Sequence, residues 1–149
     1  MADARGPLDS RDLEALTARM YRTLMILAAA DALAFGLGSL LLPDVVLTLL
    51  GSETDALGRA LLRELGAILL SLGIIAWFLR DLDDGPVRRG VTSGTVVGIA
   101  LTAVIVGLVT ASGMFNVLGW AIVAIHVLLA GGLAWVLLRP GARAATRPG

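Results

Sequence analysis

Apolar residues fill four long stretches of this chain, residues 24–42, 61–79, 91–111 and 117–138, and charge gathers between them. Each stretch is near the ~20 residues that an α-helix needs to cross the hydrocarbon core of a bilayer. The first holds one charge, Asp31, and the second holds Arg63 and Glu64 near its start. The third holds none, and the fourth has His126 as its one ionisable side chain. The pattern predicts an all-α fold: an antiparallel four-helix transmembrane bundle, with residues 9–138 as a single membrane domain.

The segments between the stretches carry their own signals. Pro43 stops the first helix and suits the first turn of a new one. Val45, Val46, Leu47, Leu49 and Leu50 follow, closed by Gly51. This piece is too short to span and predicts a turn or two of helix lying in the interface. Ser52 or Thr54 is the expected N-cap of the second spanning helix, which should begin near Asp55. Ahead of the first stretch, Asp9 or Ser10 suits a cap, and Leu13, Leu16, Thr17 and Met20 fall at helical spacing on one side. That segment reads either as a short amphipathic lead-in helix at the membrane surface or as a plain extension of the first span. Gly85-Pro86 breaks the charged loop before the third stretch, and residues 111–116 form an uncharged turn with Gly113. Residues 1–8 and 139–149 are expected to be disordered tails.

Composition sharpens this. Of 149 residues, 57% are apolar, above the 45–50% or so of soluble domains, and the mean hydropathy is +0.87. There is no cysteine, which excludes disulfides, thiolate metal sites and thiol nucleophiles. All 12 basic residues are arginine and the formal net charge is zero, so no nucleic-acid partner is expected. A cleavable signal peptide is not expected, because the first 20 residues are charged throughout. Ten arginines fall on the side holding both termini and the 80–89 loop, and two, Arg59 and Arg63, on the other. That asymmetry places both termini in the cytoplasm, in a plasma (inner) membrane. Tyr21, Trp77 and Trp135 would then mark the inner interface, and Phe115 and Trp120 the outer. The arginine-, alanine- and glycine-rich composition suggests a bacterial source with a GC-rich genome.

Small residues predict how the helices meet. Gly90, Gly94 and Gly98 recur every four residues on the third span, two overlapping GxxxG motifs followed by Thr102. Close backbone packing, rather than exclusion of water, drives association of helices in lipid. The stripe serves either a contact within the chain or the seam of a homodimer. Ala34 with Gly38, Gly66 with Gly73, and Gly119 with Ala130 give the other spans small faces, and a tight bundle is expected.

Four ionisable residues in the spans form the candidate intramembrane polar site: Asp31, His126, Arg63 and Glu64. Counting about 1.5 Å per residue, Asp31 and His126 lie within about 5 Å of one another in depth. They could face each other, either as a structural hydrogen-bonded pair or as a place that holds and passes a proton. Arg63 and Glu64 lie about one turn inside the outer end of their span. They either anchor the helix at the interface or line a polar vestibule with Arg59 and Asn116. No catalytic motif, phosphate-binding loop or metal-ligand set is present, so no metal and no cofactor is expected. Ser39, Ser71 and Ser93 have no evident base, His126 being the one candidate.

Pro43, residues 45–51, the run Arg63-Glu64-Leu65-Gly66-Ala67 and the span from Asn116 to Trp120 give the chain a recognisable layout over residues 20–138. It resembles the small four-span integral membrane proteins of unknown function common in bacteria, and the resemblance implies no activity. The small multidrug-resistance transporters also have four spans and an acidic residue in the first, but theirs is a glutamate in a context that AAADALAFG around Asp31 does not reproduce. The sequence therefore leads to a non-enzymatic structural or accessory subunit in contact with lipid and with a second copy or another membrane protein. The alternative is a small proton-coupled transporter or channel using Asp31 and His126. A membrane enzyme, using Glu64, Arg63 or His126 in a water-filled cavity, comes third.

Overall fold

The computed structural model describes residues 9–139, and the tails expected at either end lie, but for Arg139, outside the described residues. Five helices and no strand occur among these residues: α1 (Ser10–Leu41), α2 (Pro43–Leu50), α3 (Ala56–Leu79), α4 (Pro86–Ala111) and α5 (Leu118–Leu138). All but α2 are long and apolar enough to cross a membrane. The chain is on that ground a multi-pass membrane protein.

Local chemistry accounts for the boundaries. α1 is one unbroken helix of 32 residues, so the predicted lead-in is not a separate helix but its first turns. No glycine or proline interrupts residues 10–35, and the alanines, leucines, methionines and arginines there are strong helix formers. Pro43 opens α2 at its first position. Gly51 closes it in the left-handed conformation, φ +69°, which glycine adopts without steric cost. The N-cap of α3 is Asp55, whose carboxylate accepts from the Gly58 N–H at 2.8 Å. Neither Ser52 nor Thr54 does this. Asp55 stands directly before the first helical residue, and its charge also suits the helix N-terminus.

The long helices pack in the order α3, α1, α5, α4. α1 lies along α3, α4 lies along α5, and a lighter α1–α5 seam joins the two pairs. Contacts along α1 meet α3 in reverse sequence order, Tyr21 with Leu79, Leu33 with Gly73, and Gly36 with Gly66. α3 and α4 are consecutive in sequence but are not a principal packing pair, although both send residues to one shared core.

The core gathers at the end that carries the 80–89 loop, called the arginine-rich end below. Tyr21 and Met25 of α1 are buried with Leu133 and Val136 of α5. Ala76 and Leu79 of α3, Leu82, and Val91, Val96 and Ile99 of α4 pack around them. Tyr21 is thus 1% exposed, a core residue rather than the interfacial marker predicted. Its hydroxyl donates to the Leu79 carbonyl at 3.0 Å, so the ring packs while its polar tip is satisfied. Trp77 and Trp135 do stay on the surface, with Arg80 and Arg139 stacked over their rings at 4.1 and 4.9 Å.

Candidate functional site

α1 and α5 bring Asp31 and His126 together. The His126 Nε2 lies 3.5 Å from the Asp31 Oδ2, with side-chain exposures of 10% and 25%. The helical rise alone put them at similar depth, and the α1–α5 seam turns them toward each other. One turn back on α5, the Ile122 carbonyl lies 2.8 Å from the His126 Nδ1. A carbonyl can only accept, so Nδ1 carries a proton and donates it. Nε2 is then the nitrogen that faces the carboxyl. A single proton shared by the two groups would be carried either by Asp31 against a neutral imidazole or by His126 against a carboxylate. Both arrangements have no net charge, and that is the least costly state in a medium of low dielectric constant. These are the only two of the four predicted polar residues that the structure joins.

Arg63 and Glu64 stand elsewhere, on the exposed surface of α3. They make no hydrogen bond or ion pair among the described residues, and neither meets Asp31 or His126. Arg59 and Asn116, grouped with them in the vestibule alternative, have partners of their own. Arg59 turns back to the Thr54 carbonyl at 3.0 Å and lies 3.9 Å from Asp44. Asn116 instead clips α2 to the α4–α5 turn. Its Nδ2 donates to the Leu49 carbonyl at 2.8 Å, its backbone N–H donates to the Leu50 carbonyl at 2.8 Å, and its Oδ1 accepts from the Leu118 N–H at 2.9 Å.

The glycine stripe of α4 also falls away from α5, the helix it packs along. A methyl group placed on Gly90, Gly94 or Gly98 would meet nothing within 4 Å among the described residues, so no described helix fills this face. α4 turns its other side inward, with Thr92, Ala103 and Thr110 buried. The glycines of α1 and α3 behave in the opposite way. A Cβ on Gly36 would lie 2.7 Å from the Leu70 nitrogen, and one on Gly66 would lie 2.6 Å from the Leu40 nitrogen. Those two backbones approach as closely as glycine allows.

Two residues with marked environments escaped the sequence reading. Asn116 falls with the outer polar group by depth, and its position just before a helix start is a capping signal. In the sequence Arg88 is one of three arginines in the 80–89 loop. It is 8% exposed, with its guanidinium 4.6 Å from the centre of the Tyr21 ring. A lone tyrosine and an arginine placed after a Gly-Pro break give no spacing that would have paired them. Among the described residues no three histidine, aspartate or glutamate side chains come together as a metal site would require. The comparisons with known proteins add no assignment: no family model, no curated protein and no solved structure matches this chain.

Proposed function

We propose that this protein is a non-enzymatic structural or accessory subunit of a plasma (inner) membrane assembly. In this reading it is an antiparallel four-helix protein with both termini in the cytoplasm. The observation that carries the reading is the uncovered glycine face of α4. A run of small residues at four-residue spacing suits close approach of another helix, and this chain's own helices do not use it. Gly66 and Gly73 of α3 and Gly36 of α1 support the reading by contrast, since small residues elsewhere in the chain sit against a neighbouring helix. The partner is a second copy or another membrane helix. The distribution of arginines supports the orientation.

The test compares the wild type with Gly94→Leu, extracted from native membranes in a mild detergent and sized by native electrophoresis. The wild type is expected in an assembly larger than the monomer, and Gly94→Leu is expected to fall to the monomer. A wild type that is already monomeric would contradict the proposal.

A second reading, a small proton-coupled transporter or channel, is favoured by the Asp31–His126 contact between two spans. It needs a water path to the pair, and the cavity at the arginine-rich end does not include either residue in its lining. In proteoliposomes under a proton gradient, this reading expects Asp31→Asn to abolish flux while the protein stays folded. Equal flux in wild type and variant would exclude it.

A further inference from the structure

Arg88 lines a cavity of about 910 Å³ at the arginine-rich end, between the start of α1, the 80–85 loop, the first turns of α4 and the end of α5. It is one of the buried residues of the lining, with Tyr21 and Thr92. The two hydroxyls there have already placed their protons. Tyr21 donates to the Leu79 carbonyl at 3.0 Å and Thr92 donates to the Arg88 carbonyl at 2.7 Å. The open donors at this depth therefore belong to the Arg88 guanidinium. Among the described residues its guanidinium makes no side-chain hydrogen bond or ion pair, and its one ring contact is with Tyr21. Its nitrogens are therefore open to the cavity, and a largely enclosed cation with no counter-anion is costly.

The cavity's own carboxylates do not supply that anion. Glu14, Asp81, Asp83 and Asp84 line it, but all four are exposed. Asp81 is held between Arg22 at 2.9 Å and Arg80 at 3.3 Å, and Asp84 lies 3.9 Å from Arg89. The acids thus sit at the rim and the unpaired cation at the floor. α4 begins at Pro86 without a side-chain cap, so its first-turn N–H groups add positive potential on the same side. Leu13, Leu82 and Val136 give the cavity an apolar wall.

We propose that this cavity binds a phosphate oxyanion on Arg88, supplied either by a phospholipid headgroup or by free phosphate. The planar guanidinium fork matches two oxygens of a tetrahedral phosphate. Basic pockets between membrane helices are suited to anionic headgroups. Nothing covalent is involved: the anion neutralises Arg88, and the apolar wall takes the carbon atoms next to a lipid phosphate.

The experiment uses the full chain, purified in phosphate-free detergent and read by native mass spectrometry. One arm adds phosphatidylglycerol and the other adds inorganic phosphate. One of the two is expected to bind. A lipid-only result assigns the headgroup, and a phosphate-only result assigns the free ion. Arg88→Gln is expected to weaken binding at least tenfold and Arg88→Lys less, while Arg59→Gln at the opposite end leaves it unchanged. Because Arg88→Gln removes a packed side chain, a second readout uses the unaltered protein. Tyr21 is the only tyrosine, and its ultraviolet resonance Raman bands are expected to shift as the anion draws the guanidinium from its ring. No binding in either arm, wild-type affinity in Arg88→Gln, or unmoved Tyr21 bands at saturating ligand would each overturn the proposal.

Discussion

The α1–α3 pair and the α4–α5 pair use the same residue type to opposite ends. In α1–α3, Gly36, Gly66 and Gly73 lie at the contact, and the backbones come close enough that a single methyl would collide with main-chain or Leu33 atoms. In α4–α5 the contact is made by Gly119 against Thr110 and Gly107 near Val123, while Gly90, Gly94 and Gly98 look outward. A GxxxG pattern states which face permits close approach. It does not state what approaches. In lipid that difference matters, because an uncovered leucine face costs little, whereas a face of glycines gains packing only when another helix fills it.

The comparison is broken most severely at its filled end. Gly66→Leu places a side chain 2.6 Å from the Leu40 backbone nitrogen and is expected to cost about 3 kcal/mol or more by overpacking, read as a large fall in the thermal unfolding midpoint in detergent. The joint between the pairs comes next. Asp31→Leu leaves the His126 Nε2 without a partner and is expected to cost about 2 kcal/mol. Asp31→Asn should be far milder in the same assay, since its amide N–H can donate to Nε2 as a protonated carboxyl does. A collapse of both variants would mean that the pair depends on the carboxylate form. The second joint is Asn116, whose side chain makes one hydrogen bond to the Leu49 carbonyl of α2 and one to the Leu118 N–H within the α4–α5 turn. Asn116→Ala is expected to cost about 1–2 kcal/mol, checked by denaturant titration in micelles. The smallest effect belongs to the bare face. Gly94→Leu should leave the stability of the monomer within about 0.5 kcal/mol, because no atom of the chain stands in its way.

Much of this architecture was legible from residue order. The ends of the long helices at Leu79, Ala111 and Leu138 follow from where charge, glycine and proline resume. The short α2 follows from Pro43 and Gly51. The meeting of Asp31 with His126 was within reach because helical rise converts sequence position into depth. What stayed hidden depends on rotation and on partners. The turns from Leu13 to Met20 have the same period whether the segment lies on a membrane or continues a span. The choice of Asp55 over Thr54 as cap turns on one residue of helix start. The direction of the α4 glycines depends on how far α4 is rotated against α5, which spacing leaves open. Tyr21 and Arg88 are distant in sequence and meet only because α1 and α4 both reach the arginine-rich end.

The outward direction of the α4 glycine face, and its use by another helix, are tested together by single-cysteine cross-linking in native membranes. The chain has no cysteine of its own, so each introduced thiol reports alone. Gly90, Gly94, Val97 and Leu101 share the outward face of α4, while Val96, Ile99 and Ala103 lie on the side packed inward. Oxidative or bifunctional cross-linking is expected to give protein adducts from the first group and none from the second. Adducts from the inward group, or none from either, would contradict the account.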